Sequence, residues 1–215
     1  MHYTSVLFDL DGTLLDTLGD LTAAMNRTLT RHGLPERTRQ QMRAALGNGA
    51  RRLMELSVPD GTDGALFETL LAEYNADYAA HCRIETAPYP GVDALLQQLH
   101  AQGRKLAIVS NKPDEAVRAL RTEFFADTVP IAVGEKQGIR RKPAPDTLLA
   151  AMAQLGADPA STVYVGDSEV DIATARAAGL PCISVLWGFR DRDLLEQAGA
   201  QQFAADAGEL ARLLD

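Results

Sequence analysis

Val6-Leu7-Phe8-Asp9-Leu10-Asp11-Gly12-Thr13 joins an apolar run to two carboxylates and a Gly-Thr turn. Val6–Phe8 reads as a short buried strand broken at that turn. In extended backbone, residues i and i+2 point the same way, so Asp9 and Asp11 project together. A strand ending there puts both at its carboxyl edge, where open α/β sheets place their ligands. Two like charges that close need a cation, a shared proton or solvent. A divalent metal is the most economical of these, and a solvated Asp-x-Asp-Gly turn is the alternative.

Outward from this strand, further apolar runs occur at Lys105–Val109, Val129–Val133, Thr162–Val165 and Cys182–Leu186. Helical patterns lie between the later ones. Val92, Leu95, Leu96 and Leu99 keep the i, i+3, i+4, i+7 spacing of one helix face. Pro113 precedes a helix carrying Ala116, Val117 and Leu120, and Pro145 precedes one that reaches Leu155. A last helix spans Asp171 to Ala178 before Gly179. This alternation predicts an α/β fold, a doubly wound parallel sheet of Rossmann-like type.

The segment from Asp16 to Ala87 breaks the alternation and shows no convincing strand. A helix capped by Asp16 or Thr17 runs to Gly33, and Thr38-x-x-Gln41 is a capping box for a second, ending near Leu46. Ala50–Ser57 forms a third. Phe67, Leu70, Leu71, Tyr74 and Tyr78 mark one stripe of a fourth. The expected division is therefore a core of residues 1–15 and 88–215, with an inserted all-helical cap at 16–87.

The chain has 215 residues, 46% of them hydrophobic, and a net charge of −8. No apolar stretch approaches 18 residues, so no membrane span is expected. The net acidity argues against a nucleic-acid partner, which wants a basic face. The beginning of the chain lacks a basic region followed by an apolar run, and Cys82 and Cys182 show no metal spacing. Structural thiols in a reducing cytoplasm are the expectation.

Polar clusters sit beside the later strands: Ser110-Asn111-Lys112, Lys142-Pro143-Ala144-Pro145 and Gly166-Asp167-Ser168-Glu169-Val170-Asp171. With Asp9-Leu10-Asp11-Gly12-Thr13 they resemble, in order, the four signature stations of the haloacid dehalogenase-like hydrolase superfamily. The run Asp171-Ile172-Ala173 through Gly179-Leu180-Pro181 to Trp187-Gly188-Phe189-Arg190 is similar to the phosphoglycolate phosphatase-like branch. That branch also carries a helical cap between its first two stations.

The resemblance implies a Mg²⁺-dependent phosphatase of a small phosphomonoester, with 2-phosphoglycolate the leading substrate. Asp9 would be the nucleophile that forms an aspartyl-phosphate, and Asp11 the general acid and base. Asp167 would bind Mg²⁺ with a carboxylate oxygen of Asp9 and the carbonyl of Asp11. Asp171 either faces that metal through water or is a helix N-terminal acid favoured by the dipole. Ser110 would donate to the phosphoryl group with the Asn111 N–H beside it, or cap the helix after Pro113. Lys142 would balance Asp9 and the phosphate, while Lys112, Arg140 and Arg141 are expected on the surface. In the cap, Gly47-Asn48-Gly49 is either a substrate-facing loop, with Arg51 or Arg52 meeting a substrate carboxylate, or a plain helix–helix turn. His2, His32, His81 and His100 match no station.

A phosphosugar mutase on the same fold is the rival reaction, and a non-catalytic binding module is the rival outside catalysis. A phosphonatase-type reaction would need a cap lysine, and no lysine occurs between Asp16 and Ala87. The other expected properties are a small phosphate ester as sole partner, a cytoplasmic location, and a monomer or homodimer.

Overall fold

A computed structural model describes residues 3–215, so His2 lies outside the described residues. The chain divides into two compact units, Met1–Leu15 with Pro88–Asp215 and Asp16–Ala87.

The first unit is built on six parallel strands: β1 (Ser5–Phe8), β2 (Lys105–Pro113), β3 (Ile131–Glu135), β4 (Thr162–Gly166), β5 (Cys182–Val185) and β6 (Gln202–Ala204). Their spatial order is β3-β2-β1-β4-β5-β6. The doubly wound α/β fold expected from the alternation is therefore present. Val6, Leu7 and Phe8 are fully buried, as an apolar run covered on both faces of a parallel sheet should be. The chain moves to one side of β1 for β2 and to the other for β4, so the sheet switches direction beside β1. Ligand crevices of such sheets open at that point.

Phe8 is level with Ile108 of β2 and Val165 of β4. Asp9, Ser110 and Asp167 therefore emerge at one edge. Beneath them, Leu7, Ala107, Val109, Val133 and Tyr164 pack on one face against Leu148, Ala151, Met152 and Ala175. The last four come from two helices, Asp146–Leu155 and Glu169–Ala178.

Three departures from the sequence reading have physical causes. The β2 strand continues past Val109 to Pro113, with a register shift against β3 over that stretch. Ser110-Asn111-Lys112 is thus strand rather than the loop after one. The β3 strand starts two residues later than the run Val129–Val133 suggests. Arg121 takes the carbonyls of Val129 (2.6 Å) and Pro130 (3.0 Å), and Pro130 has no N–H to give a ladder. Finally, β6 and the helices Arg192–Gln197 and Ala207–Leu214 follow β5 without having been anticipated.

The second unit consists of α1 (Leu18–Arg31), α2 (Arg39–Ala45), α3 (Gly49–Glu55) and α4 (Gly64–His81). The capping box is formed: Gln41 N–H donates to Thr38 Oγ1 (3.2 Å) and Thr38 N–H to Gln41 Oε1 (2.9 Å). α1 packs on α4, and two buried carboxylates that the sequence reading passed over hold the unit together. Asp20 accepts the amide N–H groups of Ile84 (3.0 Å) and Thr86 (2.9 Å). Asp77 accepts from Arg27 (2.6 Å) and Arg31 (2.9 Å).

Candidate active site

The site edge begins with a turn. Leu14 and Leu15 both donate their N–H groups to Leu10 O (3.0 Å each), which folds the chain back just after Asp9. Gly12 sits at φ +88°, and a Cβ there would lie 2.3 Å from Asp167 Oδ2, so only glycine lets this turn lie against Asp167.

Lys142 reaches the same edge from the segment before the helix at Asp146–Leu155. Its side chain is 3% exposed, and Nζ lies 2.7 Å from Asp9 Oδ1 and 2.7 Å from Asp171 Oδ1. It also donates to the Tyr164 hydroxyl at 3.0 Å. Burial alone would drive its proton off, but the carboxylates of Asp171 and Asp9 outweigh burial and raise its pKa. Asn111 holds the Lys142 backbone at two points: its Oδ1 accepts the Lys142 N–H (2.8 Å) and its Nδ2 donates to the Lys142 carbonyl (3.0 Å).

Asp171 spends both oxygens inside the protein. Oδ1 takes Lys142 and Tyr164 (3.0 Å), while Oδ2 takes the Ser168 hydroxyl (2.6 Å) and its N–H (3.1 Å). The latter two contacts cap the helix Glu169–Ala178. Asp167 accepts the Phe189 N–H on Oδ2 at 2.7 Å. Ser110 is buried, and its Oγ accepts the Lys112 N–H at 3.2 Å.

Carboxylate oxygens of Asp9, Asp167 and Asp171 all lie within 4.8 Å of one another. Burial pushes the Asp9 carboxyl well above the ordinary carboxylate range; Lys142 pulls it back, and Asp171, Asp167 and Asp11 push it further up. Asp167 is pushed up to about 7 by burial and by Asp171, against the Phe189 N–H, Arg190 and Lys142. Three buried carboxylates share one ammonium, so the cluster holds more negative charge than Lys142 neutralises, and a divalent cation would remove the excess. An all-oxygen donor set suits Mg²⁺, which takes one or two carboxylates and keeps its waters. Asp9 and Asp167 have the chemistry to hold it. Asp171, already bonded through both oxygens, would act on them through Lys142.

The family profile for haloacid dehalogenase-like hydrolases matches residues 6–185. The chain belongs to that family. It is 36% identical over 187 residues to a phosphoglycolate phosphatase of Xanthomonas campestris, covering 86% of this chain and 84% of the relative. It is also 32% identical to the N-acetylmuramic acid 6-phosphate phosphatase of Pseudomonas aeruginosa, covering 100% of this chain and 96% of that one. A crystal structure from Lactobacillus delbrueckii subsp. bulgaricus, provisionally assigned as a phosphoglycolate phosphatase, superposes with a TM-score of 0.94 at 36% identity, covering 100% and 99% of the two chains. Among the described residues no helix is long and apolar enough to cross a membrane.

Within this hydrolase, the structure gathers Asp9, Asp11, Ser110, Asn111, Lys142, Asp167 and Asp171 in one unit. Gly47, Asn48, Gly49 and Arg51 belong to the helical unit. There Gly47 (φ +110°) and Gly49 (φ +78°) turn the chain from α2 into α3. Arg51 forms a two-point pair with Glu68 (2.9 and 2.8 Å). Arg140, 77% exposed, pairs with Asp146 at the surface.

Lys112 is a correction. Read as a surface charge, it has a side chain only 5% exposed, with Nζ 2.8 Å from Asp11 Oδ1, because β2 runs on through it. Tyr164 is a site residue that the sequence reading missed. It looks like one more apolar position of a strand, and only the fold brings its hydroxyl to Lys142. Burial, with Asp171 and Asp9 beside it, raises its pKa well above the usual value, so it remains a donor.

Proposed function

We propose that this hydrolase is a Mg²⁺-dependent phosphatase of small phosphomonoesters, with 2-phosphoglycolate the leading substrate. The observation that carries the reading is the Lys142 ammonium lodged 2.7 Å from Asp9 at the switch point of the sheet, with Asp167 beside it. An ammonium on one oxygen fixes the Asp9 carboxylate and leaves the other to attack phosphorus.

In the first step Asp9 forms a bond to phosphorus as the ester oxygen leaves, and Asp11 gives that oxygen its proton. In the second, Asp11 takes a proton from water, whose oxygen attacks phosphorus and returns Asp9 as a free carboxylate. Lys142 offsets the charge of Asp9 and of the phosphoryl oxygens throughout, and the Ser110 hydroxyl with the Asn111 N–H donates to one of those oxygens. Asp9, Asp167 and the carbonyl of Asp11 would hold Mg²⁺, which when bound would supply charge neutralisation on the phosphoryl group. Asp171 helps to keep Lys142 charged, and Tyr164 helps to aim it.

Residues 16–87 are proposed as a cap that selects the leaving group, with Gly47-Asn48-Gly49 and Arg51 as its substrate contacts. The Pseudomonas relative matches over the whole chain, which makes N-acetylmuramic acid 6-phosphate a second substrate to try. The test is phosphate release from a panel holding both esters, with Mg²⁺ and with EDTA. Release that needs Mg²⁺ and favours one ester supports the reading and names its substrate class. A full panel left intact in Mg²⁺ overturns it.

A further inference from the structure

The ion pair between Lys112 and Asp11 takes no part in the steps above. Lys142 already supplies an ammonium on the nucleophile's side, 2.7 Å from Asp9. Lys112 places a second buried ammonium on the general acid, 2.8 Å from Asp11 Oδ1, at the other end of the reacting ester. That is the end that leaves. Burying an ammonium is unfavourable unless it meets an anion; the paired Oδ1 of Asp11 is buried as well, and the exposed 19% of the Asp11 side chain lies beyond it.

Asp11 hands its proton to the ester oxygen across a hydrogen bond of about 3 Å. Oδ1 is buried against Lys112, so the proton passes through the other Asp11 oxygen and Lys112 Nζ falls within roughly 8 Å of the ester oxygen. A carboxylate on the carbon that bears the ester oxygen reaches into this gap. One many bonds away, on the far side of a sugar ring, does not. The charges agree with this. Asp9, Asp11, Asp167 and Asp171 crowd the site, so a substrate bringing one more carboxylate is repelled unless a cation stands beside it.

We propose that Lys112 recognises an anionic group on the leaving alcohol and so favours phosphomonoesters with a carboxylate next to the ester carbon. This rests on the phosphatase reading and adds to it a residue that determines specificity.

The test compares 2-phosphoglycolate with ethyl phosphate, which keeps the two-carbon ester and lacks the carboxylate. Wild type, Lys112→Met and Lys112→Gln are assayed, with thermal melts to show that each variant folds; glutamine keeps a polar reach should methionine not be accommodated. Wild type should favour 2-phosphoglycolate in kcat/KM. Loss of the charge should cut that preference at least about tenfold, chiefly through KM, as truncating a close charge pair does. Equal losses on both esters overturn the inference, since Lys112 would then act only on Asp11; so does a wild type without the preference. If wild type hydrolyses neither ester, the phosphatase reading falls first and takes this inference with it.

Discussion

In the sheet unit, Lys142 is 3% exposed and meets two carboxylates and a tyrosine; in the helical unit, Arg51 is 48% exposed and meets one carboxylate, Glu68. The first cation comes from a segment far in sequence from Asp9 and is held in place by Asn111 from a third. The second pairs within one stretch of neighbouring helices and lies open to solvent. Charge that is buried and tied over long range resists substitution, whereas solvated pairs contribute little to stability. Substitution is therefore costly at the strand-end edge and tolerated on the helical surface.

The largest effect that would break this contrast is at Asp9. Asp9→Asn keeps the shape and removes the attacking charge, so phosphate release should fall by about 10⁴-fold or more, with the melting temperature little changed. A variant that retained a tenth of the activity would leave Asp9 as a metal ligand only.

Lys142→Met comes next and should harm both function and fold. Turnover should fall by about 10²–10³-fold, as when one preorganised charge donor is lost. Unfolding by urea should show a loss of about 3–5 kcal/mol, because Asp9 and Asp171 are left buried without their cation. Tyr164→Phe, which leaves the ammonium in place, should lower kcat by about tenfold with KM unchanged, the signature of an aim disturbed rather than a charge removed.

These long-range ties explain what the sequence could and could not tell. Asp9 and Asp11 were legible because their spacing and turn are local. Asp167, Lys142 and the strand alternation were legible through motifs a few residues long. Tyr164, Lys112 and the side-chain role of Asn111 were not, since Lys142, the shared partner of Tyr164 and Asn111, and Asp11, the partner of Lys112, lie 22 residues away or more and their own surroundings look like ordinary strand. β6 is three residues long, too short to show a period. Asp20 and Asp77 went unremarked because a helix's local sequence does not show which of its acids the fold turns inward.

Asp77 gives the helical unit a buried, pH-sensitive support. Burial pushes its carboxyl up, but the hydrogen bonds from Arg27 and Arg31 outweigh burial and hold it below the usual range. A lowered folded pKa adds stability above the unfolded value, near 4, and that stability is lost as pH falls through the folded value. Unfolding measured between neutral pH and about pH 3 should therefore show the wild type losing more stability than Asp77→Asn. Parallel curves would mean that the two arginines give the carboxylate no net support.

The smallest effect sharpens the contrast from the solvated side. Arg51 and Glu68 are both open to water, and the pair raises the arginine's pKa and lowers the glutamate's without burying either. Water replaces each partner at almost no cost, so Arg51→Ala should leave the melting temperature where it was. Activity then separates the two roles open to this residue. A cap residue that meets a substrate carboxylate contributes binding to ground and transition states alike, so its loss should raise KM at constant kcat. Glu68→Ala serves as the partner experiment. It frees the same guanidinium from its carboxylate, and if Arg51 binds substrate, KM should fall rather than rise. Two variants with equal KM would make this pair a surface contact, and selection of the leaving group would rest on other cap residues and on Lys112.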